Sequence, residues 1–342
     1  MKNNNYIRYG LIVTVCTLLI LAMVPAHADA PLVIKVATLM PKGSIYHRVL
    51  QEVGEQWQQA QGNGARFIIY TDGAQGSEAD SVRRMRIGQL QAAMISVSGL
   101  QEIEPAVNAL QKMPMMFRSW EEVDYVNDRL RPELEKKMLE KGFVVLYWGE
   151  GGWVQFFSKT PLNTPEDFKS QRLFAWAGDN NQVEIMKSLG YRPVVIEVAD
   201  VLPALQTGMI DAAPLATMWS LVYQIDRAAP YMLPVKWVPI VGATVMTRTA
   251  WESMRPEARE VLRNMSVTAT AKLREHRKNI DEEAMRAMQG RGLKVTELTP
   301  ETDRAWRQLG AKAWPQIRGH MVPADMFDQV LQLLAEYRSK PQ

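Results

Sequence analysis

Leu205-Gln206-Thr207-Gly208-Met209-Ile210-Asp211-Ala212-Ala213-Pro214-Leu215 carries two kinds of secondary structure in one short stretch. A helix stops at Gly208, a residue suited to the left-handed conformation that ends helices, and an apolar strand follows at once. The same pattern occurs earlier, at Met85-Arg86-Ile87-Gly88-Gln89-Leu90-Gln91-Ala92-Ala93-Met94-Ile95, with Gly88 as the stop. A helix feeding directly into a strand is half of a strand–helix–strand unit, and such units build parallel sheets with right-handed crossovers. Two of them, far apart in one chain, predict two similar α/β lobes.

The neighbouring sequence agrees. Residues 33–39 read as a buried strand, Met40-Pro41-Lys42-Gly43-Ser44 as a turn, and the stretch after it as an amphipathic helix through Trp57. Residues 67–70, 143–148, 173–176 and 192–196 read as further strands. Thr164-Pro165-Glu166-Asp167 and Thr299-Pro300-Glu301 each supply a cap residue, a proline at the first helical position and early acids, so helices start there. From Pro256 to about Gln289 the pattern is helical with few breaks, long enough to brace both lobes.

The start of the chain reads differently. Lys2 and Arg8 precede an apolar run over residues 11–24, and Ala26-His27-Ala28 supplies small residues at a cleavage site, the layout of a secretory signal peptide cut before Asp29. The run is shorter than the roughly 20 apolar residues a spanning helix needs. Cys16, the one cysteine, lies inside the run, so the mature chain is expected to have no disulfide, thiolate nucleophile or cysteine-ligated metal. Removing residues 1–28 takes away two basic residues and no acidic one, so the formal charge of the 342-residue chain falls from +3 to +1. Such a near-neutral chain carries no basic footprint for nucleic acid. The residues that remain exceed what one core usually supports, which again favours two domains.

A catalytic reading finds little support. The mature chain has only His47, His276 and His320, and none sits in a ligand or triad pattern. Phosphate loops, nucleophile elbows and calcium loops are missing from the sequence, and no cofactor is implied. Tryptophans stand out instead, at places where strands give way to loops. Trp148 and Trp153 flank a glycine-rich segment, Trp176 ends a strand, Trp219 follows Ala216-Thr217-Met218, and Trp237 follows Pro234-Val235-Lys236. Ligands of open parallel sheets bind at the carboxyl ends of strands, so these positions suit a cleft.

Several stretches resemble the substrate-binding proteins of tripartite ATP-independent periplasmic (TRAP) transporters, the DctP type. They are Lys35-Val36-Ala37-Thr38, Tyr70-Thr71-Asp72-Gly73-Ala74-Gln75-Gly76, Met113-Pro114-Met115-Met116-Phe117, residues 158–169, Leu189-Gly190-Tyr191-Arg192-Pro193-Val194 and Ala204-Leu205-Gln206-Thr207-Gly208-Met209-Ile210-Asp211, in family order. The resemblance implies a two-lobed periplasmic binding protein of type II-like architecture, each lobe a mostly parallel mixed sheet flanked by helices. The expected partition is residues 29–153 and 241–270 in lobe I, and 154–240 and 271–342 in lobe II. It also implies a small-molecule ligand, no enzymatic activity, a periplasmic location and TRAP membrane subunits as partners. A soluble accessory protein that receives the ligand is a second candidate partner.

The family usually holds a carboxylate with an arginine in the strand after the stretch matched by Asp167-Phe168-Lys169-Ser170-Gln171-Arg172-Leu173-Phe174-Ala175. Here that position is Phe174, and the polar residues expected after Asp211 are replaced by Ala212-Ala213-Pro214-Leu215. Both departures predict an apolar or amphipathic ligand, lipid-like or aromatic, in a pocket containing Phe174, Trp176 and Trp219. Met40 and Met218 would adapt to an irregular ligand. The family layout adds Tyr46, Gln75, Ser98 and Thr217, beside Trp148, Trp153 and Trp237, as candidate ligand contacts. The competing expectation is an ordinary carboxylate binder in which Arg172 or another basic residue replaces the missing arginine.

Overall fold

A computed structural model describes residues 31–340 apart from Gly178. The predicted signal peptide lies outside the described residues. Ten strands follow the order β2-β1-β3-β9-β4-β7-β5-β6, with β8 paired to β4 and β10 paired to β8. They are β1 (Val33–Thr38), β2 (Arg66–Tyr70), β3 (Ala92–Ser96), β4 (Phe143–Ser158), β5 (Arg172–Trp176), β6 (Arg192–Ile196), β7 (Ala212–Ala216), β8 (Tyr231–Leu233), β9 (Pro239–Thr247) and β10 (Lys294–Val295).

The path divides into two halves that share β4. Residues 143–153 of β4 run antiparallel to β9, which pairs with β3, and β3 with β2 flank β1 in parallel. Residues 154–158 of β4 pair with β7 and β8, and β5 runs parallel to both β6 and β7. The fold is thus a mixed α/β arrangement with parallel strands on the outside of each half and antiparallel pairs around β4 and β9.

The two repeated stretches do what their sequence predicts. Helix α1 (Ile45–Gln61) joins β1 to β2, and α2 (Glu78–Arg86) leads through Gly88, at φ +75°, into β3. Ser77 and Asp80 form a capping box at the start of α2. After α3 (Trp120–Glu140) and α4 (Asn180–Ser188), helix α5 (Val201–Thr207) stops at Gly208, φ +78°, and enters β7. Each unit delivers an inner strand of its own half, β3 between β1 and β9, and β7 between β4 and β5.

Strand β7 runs into α6 (Thr217–Val222), and the long helix α7 (Pro256–Gln289) reaches both halves. Leu262, Ala269 and Leu273 of α7 pack in one core with α1, whereas Met288 packs in another with Phe157 and Phe174. Helix α8 (Pro300–Ile317) begins at the predicted Thr299 cap. The final helix, α9 (Ala324–Arg338), is expected from sequence in the second lobe. It packs instead on α3 in the core of the first half, through Met326, Val330 and Leu334, and Arg338 pairs with Glu122 at 2.7 Å. Its apolar face matches that of α3, and no local signal encodes which surface it covers.

One sequence reading is corrected by β4. The glycines at 149, 151 and 152 suggest a loop with Trp148 and Trp153 at its rims, but the strand runs straight through them. Pairing with β9 continues across the segment with register shifts on both sides of Tyr147–Glu150, and Gly152 sits at φ +94°. A bulged strand absorbs the glycines without ending.

Candidate functional site

A cavity of about 140 Å³ opens between the two halves, at the carboxyl ends of the strands. The first half supplies Leu39 and Met40 after β1, Glu78 of α2, Ser96 at the end of β3, Ser98 just after it, and Gln111, Lys112 and Pro114. On the second half, Phe174 and Trp176 lie two apart on β5 and so point the same way, with ring centroids 5.5 Å apart. Trp219, in the first turn of α6, stacks on Tyr223 at 5.8 Å and completes that side. Trp237 is fixed by two backbone bonds, its N–H to the Val154 carbonyl at 3.1 Å and its carbonyl from the Met115 N–H at 2.8 Å. Its ring meets Phe156 and Trp306 edge-on, each 5.7 Å away, so α8 closes the floor with an aromatic cluster.

Against these apolar walls the polar groups are few. The Glu78 carboxylate accepts from the Ser96 N–H at 2.8 Å and the Ser96 hydroxyl at 2.6 Å. Burial holds Glu78 above the usual carboxylate range, with the Ser96 hydrogen bonds acting the other way. Lys112 donates to Asp179 Oδ2 and to Ser98 Oγ, the latter at 3.5 Å. Burial pulls the Lys112 ammonium down to about 8, opposed by the Glu78 charge. Among the described residues on the cavity wall, Lys112 is the one basic side chain.

Six of the twelve sequence candidates line this cavity: Met40, Ser98, Phe174, Trp176, Trp219 and Trp237. The other six stand elsewhere. Tyr46 donates to the Glu150 carbonyl at 2.6 Å and faces a smaller chamber of about 40 Å³, which shares Met40, Ser96 and Ile240 with the main one. Gln75 lies in the half-exposed turn before α2. Trp148 is buried in the first core with its Nε1–H on Glu135 at 2.7 Å, and Trp153 is buried there against Trp120 at 4.9 Å. The Thr217 hydroxyl donates to Asp281.

Arg172 does not reach the cavity. Its Nε and Nη2 make a two-pronged pair with Asp211 at 2.8 and 2.7 Å, and its side chain is 48 % exposed. The cation on the wall is Lys112, which the sequence reading missed, as it missed Glu78 and the α8 aromatic Trp306 on the same wall and Asp179, the partner of Lys112. A signal for Lys112 exists: it is a lone charge inside Ala109-Leu110-Gln111-Lys112-Met113-Pro114, and charged side chains in apolar runs are buried only when paired.

Two α/β halves meeting over a cavity at their strand ends, bridged by a shared strand and a long helix, define a cleft-type ligand receptor. The model of the bacterial extracellular solute-binding proteins of family 7, DctP, matches residues 36–319, and the chain belongs to that family. It is 24 % identical to the C4-dicarboxylate-binding periplasmic protein DctP of Rhodobacter capsulatus over 88 % of this chain and 90 % of that one. With the uncharacterized protein YiiZ of Salmonella typhimurium it shares 23 % identity over 62 % of its own length and 65 % of that protein's. The crystal structure of a TRAP periplasmic solute-binding protein from Pseudomonas putida F1 with bound D-glucuronate superposes with a TM-score of 0.79 at 21 % identity, covering 91 % of this chain and 98 % of that one. The family and these structural neighbours are solute-binding receptors and not enzymes. No helix among the described residues is long and apolar enough to cross a membrane.

Proposed function

We propose that the chain is the periplasmic receptor of a TRAP-type transporter and that its ligand is an organic acid with one carboxyl group and a largely apolar body. The observation that carries this reading is Lys112, the one buried ammonium among the described residues of a mostly apolar wall whose other polar side chains include Glu78, Ser96, Ser98, Gln111 and Gln182. An anion entering such a cavity needs a compensating charge, because the surroundings offer it little solvation. The relatives named for C4-dicarboxylates and D-glucuronate support an acid over the wholly apolar ligand that Phe174 by itself suggests. The aromatic walls argue against a sugar acid, whose hydroxyls would find few partners.

The acid's carboxylate sits at Lys112 and its body lies across Phe174, Trp176, Trp219 and Trp237. Closure brings both lobes onto the ligand and creates the surface that the membrane subunits read. We place the division of the lobes near residue 153 of β4 and again near 241 of β9, with α9 travelling with the first lobe. The predicted signal peptide, cut before Asp29, delivers the protein to the periplasm.

A neutral apolar ligand is the second reading, favoured by one observation: Lys112 already has a carboxylate partner in Asp179. Native mass spectrometry of protein purified from its expressing cells, followed by extraction and identification of the retained compound, separates the two. Recovery of a monocarboxylic acid supports the leading reading. A neutral lipid establishes the second, and a dicarboxylate or uronate overturns both.

A further inference from the structure

We infer that Asp179 is the specificity-determining residue of this pocket: an internal carboxylate that pairs with Lys112 and that an incoming acid must displace. The inference rests on the function proposed above. Lys112 belongs to the first half, two residues before Pro114, and Asp179 to the second, at the start of α4. Their ion pair therefore straps the cleft, with Lys112 8 % and Asp179 4 % exposed.

The two oxygens of Asp179 have separate tasks. Oδ1 accepts from the Gln182 N–H at 3.3 Å and caps α4, whereas Oδ2 meets Lys112. Releasing Oδ2 leaves the cap in place, so the carboxylate can give up the ammonium without unravelling the helix.

Exchanging one carboxylate for another at the same ammonium conserves the charge-assisted hydrogen bond but leaves the buried Asp179 carboxylate without its cation, so the exchange by itself works against binding. The apolar body then decides. Each buried methylene multiplies affinity by about fourfold, so short polar acids cannot displace Asp179 and acids with a long or aromatic body can. A second carboxylate on the ligand finds no further cation among the described wall residues, where the other charged group is Glu78. The pocket thereby selects acids with one charge and a large apolar part.

The test is quenching of tryptophan fluorescence by butanoate, hexanoate, octanoate, decanoate and succinate, on the full mature chain and on Asp179→Asn, Asp179→Ser and Lys112→Met. Asn and Ser are both good N-caps, so one of the pair keeps α4 intact if the other does not. In the wild type, affinity climbs by about fourfold per methylene, with butanoate and succinate silent. Both Asp179 variants tighten every monoacid by about tenfold at an unchanged slope, because the competitor is gone. If the Asp179 variants bind the series no more tightly than the wild type while Lys112→Met loses it, the internal competitor is wrong and the proposed function stands. If no acid binds the wild type, or Lys112→Met binds the series like the wild type, the proposed function falls and this inference with it.

Discussion

Lys112 and Phe174 set the chemistry of the cavity from opposite sides. Phe174 stands where the family resemblance puts an arginine, 1 % exposed in a core with Phe157, Val198 and Leu215, a setting that leaves no room for a second charge. In the proposed function Lys112 takes the positive role from the first half, and its environment makes that role depend on pH. The ammonium is drawn from 10.5 to about 8 by burial, so a bound acid loses its counter-charge as pH rises past that value. Decanoate affinity measured from pH 6 to 10 is expected to hold below about 8 and to fall by up to about tenfold per unit above it. Stability runs the other way. Between about 8 and 10.5 the unfolded chain holds this proton more fully than the folded one, so Lys112 makes stability rise with pH across that window. A drop in affinity accompanied by a drop in stability would assign the pH effect to general unfolding and not to this lysine.

Among the elements, β4 has the most demanding task, because one strand serves both halves and turns between them. Glu150, buried at the crossing, takes Arg131 at 2.6 Å and Arg277 at 3.2 Å, which ties β4 to α3 and α7. Two residues on, Gly152 has φ +94°, and a Cβ there would come within 2.6 Å of Asp281 Oδ1. The Asp281 carboxylate, on α7, accepts from the Trp153 N–H at 3.2 Å and from the Thr217 hydroxyl, so one side chain pins β4, α6 and α7 together. Its burial holds it above the ordinary carboxylate range, against those two hydrogen bonds. Asp281→Ala leaves two buried donors without an acceptor and is expected to cost about 1–3 kcal/mol in urea unfolding. Asp281→Asn keeps an acceptor oxygen and is expected to lose less; equal losses would mean that the charge, and not the hydrogen bonds, holds the crossing.

For the whole molecule, the cavity exists because two α/β halves face one another across β4 and β9, and a ligand in it touches both. Binding to the folded state alone then raises stability by about 2.7 kcal/mol when free ligand is a hundredfold above its dissociation constant. Thermal melts of the wild type with saturating decanoate are expected to show that gain, and Lys112→Met is expected to show none; a shift in Lys112→Met as large as in the wild type would place the acid elsewhere. The sequence by itself determined the twice-used helix–glycine–strand unit, the capped starts at Thr164 and Thr299, the long helix and the family. These signals act over a few residues, through backbone conformation, capping and periodicity. It also marked Trp176, Trp219 and Trp237, because strand ends in parallel sheets gather at one edge, and Phe174 through the arginine position that the family resemblance implies. It misjudged Trp148 and Trp153, whose placement follows from a bulged register with β9 that no local pattern specifies. Only the tertiary structure decided that α9 packs on α3, that Arg172 turns away to Asp211, and that Lys112 meets Asp179 across 67 residues of sequence. Such a contact depends on how the two halves approach each other, and that approach is set by the packing of their shared strand and long helix.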